Sequence, residues 1–202
     1  MKNYTINTLF PLVIVSSDLE RKFTAKELAL LSNLPCTSNT GNLSSVDSYV
    51  LDKPELASLK SSLLGGVQNY MDTVICANPN VKVYITQSWV NYTGLGQFHH
   101  RHYHQNSYLS GVLYISADKA TDKIEFYNSM YKQINLVPTE WNIFNSESWW
   151  YPVKTGQLLI FPSHLVHSVL PKQDYNLRIS LSFNTFLKGN IGSNERLSEL
   201  LL

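Results

Sequence analysis

The sequence has little cysteine, little charge and no long apolar run. Cys36 and Cys76 are its two cysteines in 202 residues. A scaffold stapled by disulfides is thereby excluded, and a chain of this length buries enough surface to fold without one. No secretory leader pattern precedes the thiols, because the run from Leu9 to Val15 is broken by Pro11 and only one lysine stands before it. Reduced thiols and a cytoplasmic protein are therefore expected, with no glycan on the sequons at Asn3, Asn42 and Asn91. No apolar stretch approaches the roughly 18 residues of a membrane-spanning helix, so no membrane partner is expected. Charged residues make up 15% of the chain, against 44% apolar, which excludes a disordered polyelectrolyte. Sixteen basic residues stand against 15 acidic ones, a net charge of +1. General nucleic-acid binding needs a cationic excess and is not expected.

What is present divides into two grammars, read as a single domain over 1–202. Residues 1–80 read as mostly helical. Thr24-Ala-Lys-Glu27 is a capping box that opens a short helix carrying Leu28, Leu30 and Leu31. Ser32–Ser48 is rich in Ser, Asn and Gly and reads as a loop. Asp52 and Pro54 open a second helix whose apolar positions Leu56, Leu59, Leu63, Val67, Tyr70 and Val74 step by three and four. Gly65-Gly66 interrupts it, and Asn78-Pro79-Asn80 ends it. The apolar run within 1–15 reads as a strand. From 81 to 187 short β-branched and aromatic runs alternate with turns: Val81–Val90, Gly111–Ser116, Lys123–Asn128, Gly156–Phe161, His167–Leu170 and Leu177–Phe186. This spacing predicts a mainly β sandwich of jelly-roll type with the N-terminal helices packed on it, and a C-terminal tail over 188–202.

Four of the six histidines fall within six residues, at 99, 100, 102 and 104; the others are His164 and His167. Two clusters about sixty residues apart suggest that they meet in the fold. On a regular strand alternate side chains share a face. His100, His102 and His104 are thus expected on one face and His99 on the other, with His167 the natural ligand from a second strand. Three imidazoles and an open position suit a catalytic metal, zinc, copper or iron. Farther on, Arg178, Ser180, Ser182 and Asn184 would share one face of a strand, with Ile179, Leu181 and Phe183 on the other. An arginine inside a barrel must be paired. Its candidate partner is a ligand carboxylate, held by the guanidinium fork with Ser180 as a second donor.

In this order the elements His102-X-His104, Ser110-Gly-Val-Leu-Tyr114-Ile, Ile124-Glu-Phe-Tyr, Gly156-Gln-Leu-Leu-Ile-Phe-Pro162, His167 and Arg178-Ile-Ser180 resemble the 2-oxoglutarate- and Fe(II)-dependent oxygenases. They are most similar to bacterial and phage members distantly related to prolyl hydroxylases. The resemblance spans about half the chain. It implies a double-stranded β-helix, Fe(II) held by His102, His104 and His167, and 2-oxoglutarate with its distal carboxylate on Arg178 and Ser180. Tyr114 and Asn184 would complete the cosubstrate pocket. The implied reaction couples decarboxylation of 2-oxoglutarate to succinate with O2-dependent hydroxylation of an unidentified small-molecule or protein substrate. It also admits a phage-encoded protein working in a host cytoplasm.

Most members carry an acidic residue where His104 stands, so a carboxylate from elsewhere, with Glu125 the candidate, is an alternative third ligand. A cupin-like metal enzyme is the rival reading, since Gly156 to Pro162 and His167 resemble its second motif. That pattern has no role for Arg178. A jelly-roll binding module with a vestigial site is the non-catalytic alternative. Trp141, Trp149, Trp150 and Tyr151 precede the second motif and could line a substrate mouth.

Overall fold

The computed structural model describes residues 4–128, 134 and 136–202. The first helix, α1 (Ala25–Ser32), begins as its capping box requires. The Thr24 hydroxyl accepts from the Glu27 N–H at 3.2 Å, and the Glu27 carboxylate accepts from the Thr24 N–H at 2.8 Å. Arg21 donates to both oxygens of that carboxylate, at 2.6 and 2.9 Å. The expected strand in the apolar run reduces to β1 (Val15–Asp18). Residues 4–14 have no regular structure, and residues 1–3 lie outside the described residues.

The expected loop over 32–48 instead holds a hairpin, β2 (Cys36–Ser38) and β3 (Leu43–Ser45). Its polar residues bond into the neighbouring long strand, β4 (Lys82–Thr93). Leu43 and Ser44 pair with Tyr92 and Asn91, and the Ser45 hydroxyl accepts from the Val90 N–H at 3.0 Å. Residues 1–80 thus supply three strands as well as helices. Two 3-10 turns, Val50–Asp52 and Pro54–Leu56, lead into α2 (Ala57–Tyr70). A π turn over Met71–Ile75 follows, and Cys76 ends it in the left-handed region at φ 52°. Leu56, Leu59, Leu63, Val67 and Tyr70 are all buried, as their spacing predicts.

The remaining strands are β5 (His99–His102), β6 (Leu109–Ser116), β7 (Lys123–Tyr127), β8 (Ser148–Pro152), β9 (Gln157–Pro162), β10 (His167–Val169) and β11 (Arg178–Lys188). The C-terminal segment, expected as a tail, folds back as a hairpin of β12 (Asn190–Ile191) and β13 (Leu200–Leu201). A seven-stranded sheet runs β1-β9-β6-β11-β4-β3-β2, and a four-stranded sheet runs β5-β10-β7-β8. Both are antiparallel, and they face each other as a jelly roll. Between them pack Val112, Tyr114, Ile124, Phe126, Leu159 and Phe161. On the outer face of the larger sheet Leu113, Ile160, Ile179, Leu181 and Phe183 pack with Leu31, Leu59, Leu63 and Val67 of the helices. The alternation along β11 therefore divides a dry outer core from a polar interior.

Two glycines permit this packing. A Cβ on Gly66 would lie 2.9 Å from the Leu158 side chain, so the glycine lets α2 approach β9 without breaking the helix. A Cβ on Gly111 would lie 2.1 Å from the Phe183 ring, which covers the bare backbone of β6.

Candidate active site

The smaller sheet brings the two histidine clusters together. His102 of β5 pairs directly with His167 of β10, while His99 pairs with Val169. Three steps along β5 thus oppose two along β10, a β-bulge. His104 follows the strand and is anchored by its N–H on the Ser163 carbonyl at 2.9 Å. One ring nitrogen from each of His102, His104 and His167 lies within 4.8 Å of the others. The His102 Nδ1 lies 2.7 Å from the His100 carbonyl, and the His167 Nδ1 lies 2.9 Å from the Leu165 carbonyl. A carbonyl only accepts, so each Nδ1 carries the proton and each Nε2 keeps its lone pair. Burial, more than any neighbouring charge, lowers all three imidazole pKa values, that of His104 to about 4. Neutral imidazoles with free lone pairs are the donor set that a divalent first-row ion requires, and they fit Fe(II).

The bulge overturns one expectation about this cluster. His99 does not point away; it stacks on His102 at 4.5 Å between ring centroids, 16° from parallel, and lines the cavity. Burial, then the neighbouring imidazoles, lowers its pKa to about 3. His100 does not line the cavity, and its Nδ1 is buried without a partner. His164 is exposed on the turn between β9 and β10. Glu125 points away from the centre, as the buried neighbours Ile124 and Phe126 require. Its carboxylate oxygens accept from Ser148 Oγ at 2.6 Å and the Tyr127 hydroxyl at 3.0 Å. Among the described residues no carboxylate joins a group of potential metal ligands.

Arg178 also lines the cavity and is 3% exposed. One guanidinium N–H reaches Thr93 Oγ1 at 3.2 Å; the Nε is buried with no partner. Among the described residues no carboxylate forms an ion pair with it. Burial pulls its pKa below the ordinary value, against the pull of Tyr114 and Asp122. Ser180 lies opposite Asn91 on β4 and Tyr114 on β6, and all three line the cavity. Tyr114 is buried, and desolvation holds its phenol well above the usual range. Asn184 is not among the lining residues. Its Oδ1 accepts from Ser110 Oγ at 2.9 Å, and Ser110 in turn bonds Ser163 at 2.8 Å. Trp150 is exposed on β8, under the Lys123 ammonium at 4.8 Å, and does not line the cavity.

Trp89, Asn91 and Thr93 were not expected from the sequence as ligand-binding residues, yet Trp89 and Asn91 line the cavity and Thr93 bonds Arg178. They alternate along β4 opposite Ser182, Ser180 and Arg178. Extending the expected strand from Val90 to Thr93 exposes that pattern. The Asn91 Oδ1 is also buried without a partner. The unpartnered Nε of a buried cation suits a carboxylate oxygen, whereas the Asn91 Oδ1, an acceptor, calls for a donor. The histidines and Arg178 line the same cavity.

A jelly roll in which one cavity is lined by both a histidine cluster and a buried cation suits the metal-dependent class of this fold. The family model described as "Putative 2OG-Fe(II) oxygenase" matches residues 87–184. These residues, just under half of the chain, are similar to the 2-oxoglutarate- and Fe(II)-dependent oxygenases, an enzyme family. The fold is similar to that of a 2OG-Fe(II) oxygenase family oxidoreductase from Burkholderia pseudomallei, with a TM-score of 0.58, 15% identity and coverage of 85% of this chain and 83% of that one. HygX from Streptomyces hygroscopicus, solved with nickel, 2-oxoglutarate and hygromycin B, is similar at TM-score 0.58 and 13% identity, covering 86% and 82%. A prolyl-4-hydroxylase from Pseudomonas putida gives 0.54 and 13%, covering 86% and 92%. No curated protein matches the chain. No helix among the described residues is long and apolar enough to cross a membrane.

Proposed function

We propose that this chain is a dioxygenase that couples oxidative decarboxylation of 2-oxoglutarate to succinate with hydroxylation of a small-molecule or protein substrate. In this reading His102, His104 and His167 hold Fe(II), and Arg178 and Ser180 hold the distal carboxylate of 2-oxoglutarate. The bound metal would supply the activation of O2; the protein supplies ligands, orientation and a water-poor cavity. The carbonyls of His100 and Leu165 fix the tautomers that leave Nε2 free at His102 and His167. Tyr114 and Trp89 line the same cavity and would contact a cosubstrate held there.

One observation carries the reading: a buried guanidinium with an unpartnered Nε faces three neutral imidazoles across one cavity. A buried cation without a counter-anion is costly, and a bound dicarboxylate removes that cost while its other end meets the metal. The test is anaerobic titration of Fe(II)-loaded protein with 2-oxoglutarate, following the metal-to-ligand absorption band, then succinate release on admitting O2. A band that saturates and 2-oxoglutarate-dependent succinate are expected. Loaded protein that shows neither would overturn the assignment.

A further inference from the structure

The bulge that brings His99 into the cavity also assembles a second group of imidazoles. His99, His100 and His102 each offer a ring nitrogen within 4.8 Å of the other two. Their ring centroids lie 5.1 Å (99 to 100), 4.5 Å (99 to 102) and 5.0 Å (100 to 102) apart. Adjacent residues on a regular strand could not do this, because their side chains point to opposite faces. The His100 Nδ1 is buried and unpartnered, and no ring hydrogen bond holds His99 among the described residues. A buried ring nitrogen without a partner calls for a missing donor or a missing ion.

We propose that His99, His100 and His102 form a second, outer seat for a divalent late first-row metal ion. Its occupancy excludes that of the inner triad. The exclusion follows from His102: its Nδ1 is committed to the His100 carbonyl, so it has one free nitrogen for one ion at a time. The outer group is half-buried throughout, whereas the inner one includes the fully buried His167. The outer seat is therefore the more accessible of the two. Three neutral imidazoles with no carboxylate favour nickel, copper, cobalt or zinc. An ion in the outer seat holds His102 away from the inner site. The seat is thus a loading position for one ion and a blocking position for a competing one. It is the weaker of the two, because His99 and His100 lack the carbonyl partners that orient His102 and His167.

The test measures binding, independently of turnover, in a His104→Gln/His167→Gln variant titrated with Co(II) by calorimetry and visible absorption. Wild type should bind one ion per chain. The double variant should still bind one, about ten- to hundredfold more weakly, and adding His100→Ala should abolish it. A double variant with native circular dichroism that binds none overturns the outer seat, as does wild type binding two. If the double variant unfolds, His104→Gln alone is used, with Zn(II) and the His100 ring resonance as readout. A shift on binding supports the seat, and bound zinc with an unshifted His100 overturns it. The 2-oxoglutarate titration of wild type is unaffected by either outcome, so the catalytic reading fails or stands separately.

Discussion

At the scale of the residue, the cavity is governed by what each polar atom lacks. Arg178 keeps one short-range partner, Thr93, and an open Nε. Arg178→Lys retains the charge but not the planar fork. Hydrogen bonds to charged groups contribute about 1.5–3 kcal/mol, so the Kd for 2-oxoglutarate should rise roughly ten- to hundredfold. Anaerobic titration checks this, and an unchanged Kd would leave the cation without a role in the cosubstrate site. His104→Asp should retain iron, because it converts three imidazoles into two imidazoles and a carboxylate, a set that iron accepts. Iron content per chain is the measurement, and complete loss would show that the imidazole itself is required. His102, His104, His167 and Arg178 stood out through the clustering of histidines, the motif resemblance and the cost of a buried charge; alternation alone did not separate His104 from His100. His99 did not stand out, because its orientation depends on a bulge set by pairing with β10. Asn184 shares the parity of Arg178 but lies where a serine network closes the cavity.

At the scale of the element, α1 shows how a short helix is fixed by one carboxylate. Glu27 is 2% exposed and closes both the capping box and the Arg21 pair. Arg21 first, then the Thr24 N–H, hold its pKa below the ordinary 4.5 against the upward push of burial. A depressed carboxyl pKa stabilises the fold above the unfolded value, and that contribution is lost as pH falls through the folded one. Glu27→Gln keeps the cap geometry but loses the ion pair, and should cost about 2 kcal/mol at neutral pH. The difference from wild type in urea midpoint should shrink steadily below about pH 4.5. A gap independent of pH would assign the effect to packing. The capping box and the apolar stripe of α2 are local signals and were readable. The β2–β3 hairpin was not, because its Ser and Asn residues gain their strand character from β4, more than forty residues away in the chain.

At the scale of the whole molecule, the family match over 87–184 omits the helices that pack on the outer face of the larger sheet. Ile179, Leu181 and Phe183 are buried beneath α1 and α2 together with Leu113 and Ile160. We therefore expect the fragment 81–187 to be unable to fold alone, although it contains every proposed ligand. Circular dichroism and dye binding of that fragment check this. A cooperative melt would separate the chain into two independent units and refute the reading of 1–202 as one domain. The jelly roll was legible from strand spacing, but which sheet the helices cover was not, because that depends on the sum of both apolar faces.

The bulge in β5 makes the site unusually sensitive to one kind of genetic change. Most substitutions along this strand alter one side chain and leave the rest in place. Removing one residue, such as Arg101, would close the bulge and restore strict two-by-two pairing with β10. If His102 keeps its place opposite His167, His99 stays opposite Val169, now two positions from His102, and His100 falls opposite Ser168 and turns to the other face. A single codon deletion would thus part the His100 ring from those of His99 and His102 without changing the number of histidines. Such a deletion should leave the melting temperature within a few degrees of wild type while abolishing metal binding at the outer seat. A variant that unfolds outright would show that the extra residue is needed for the sheet itself.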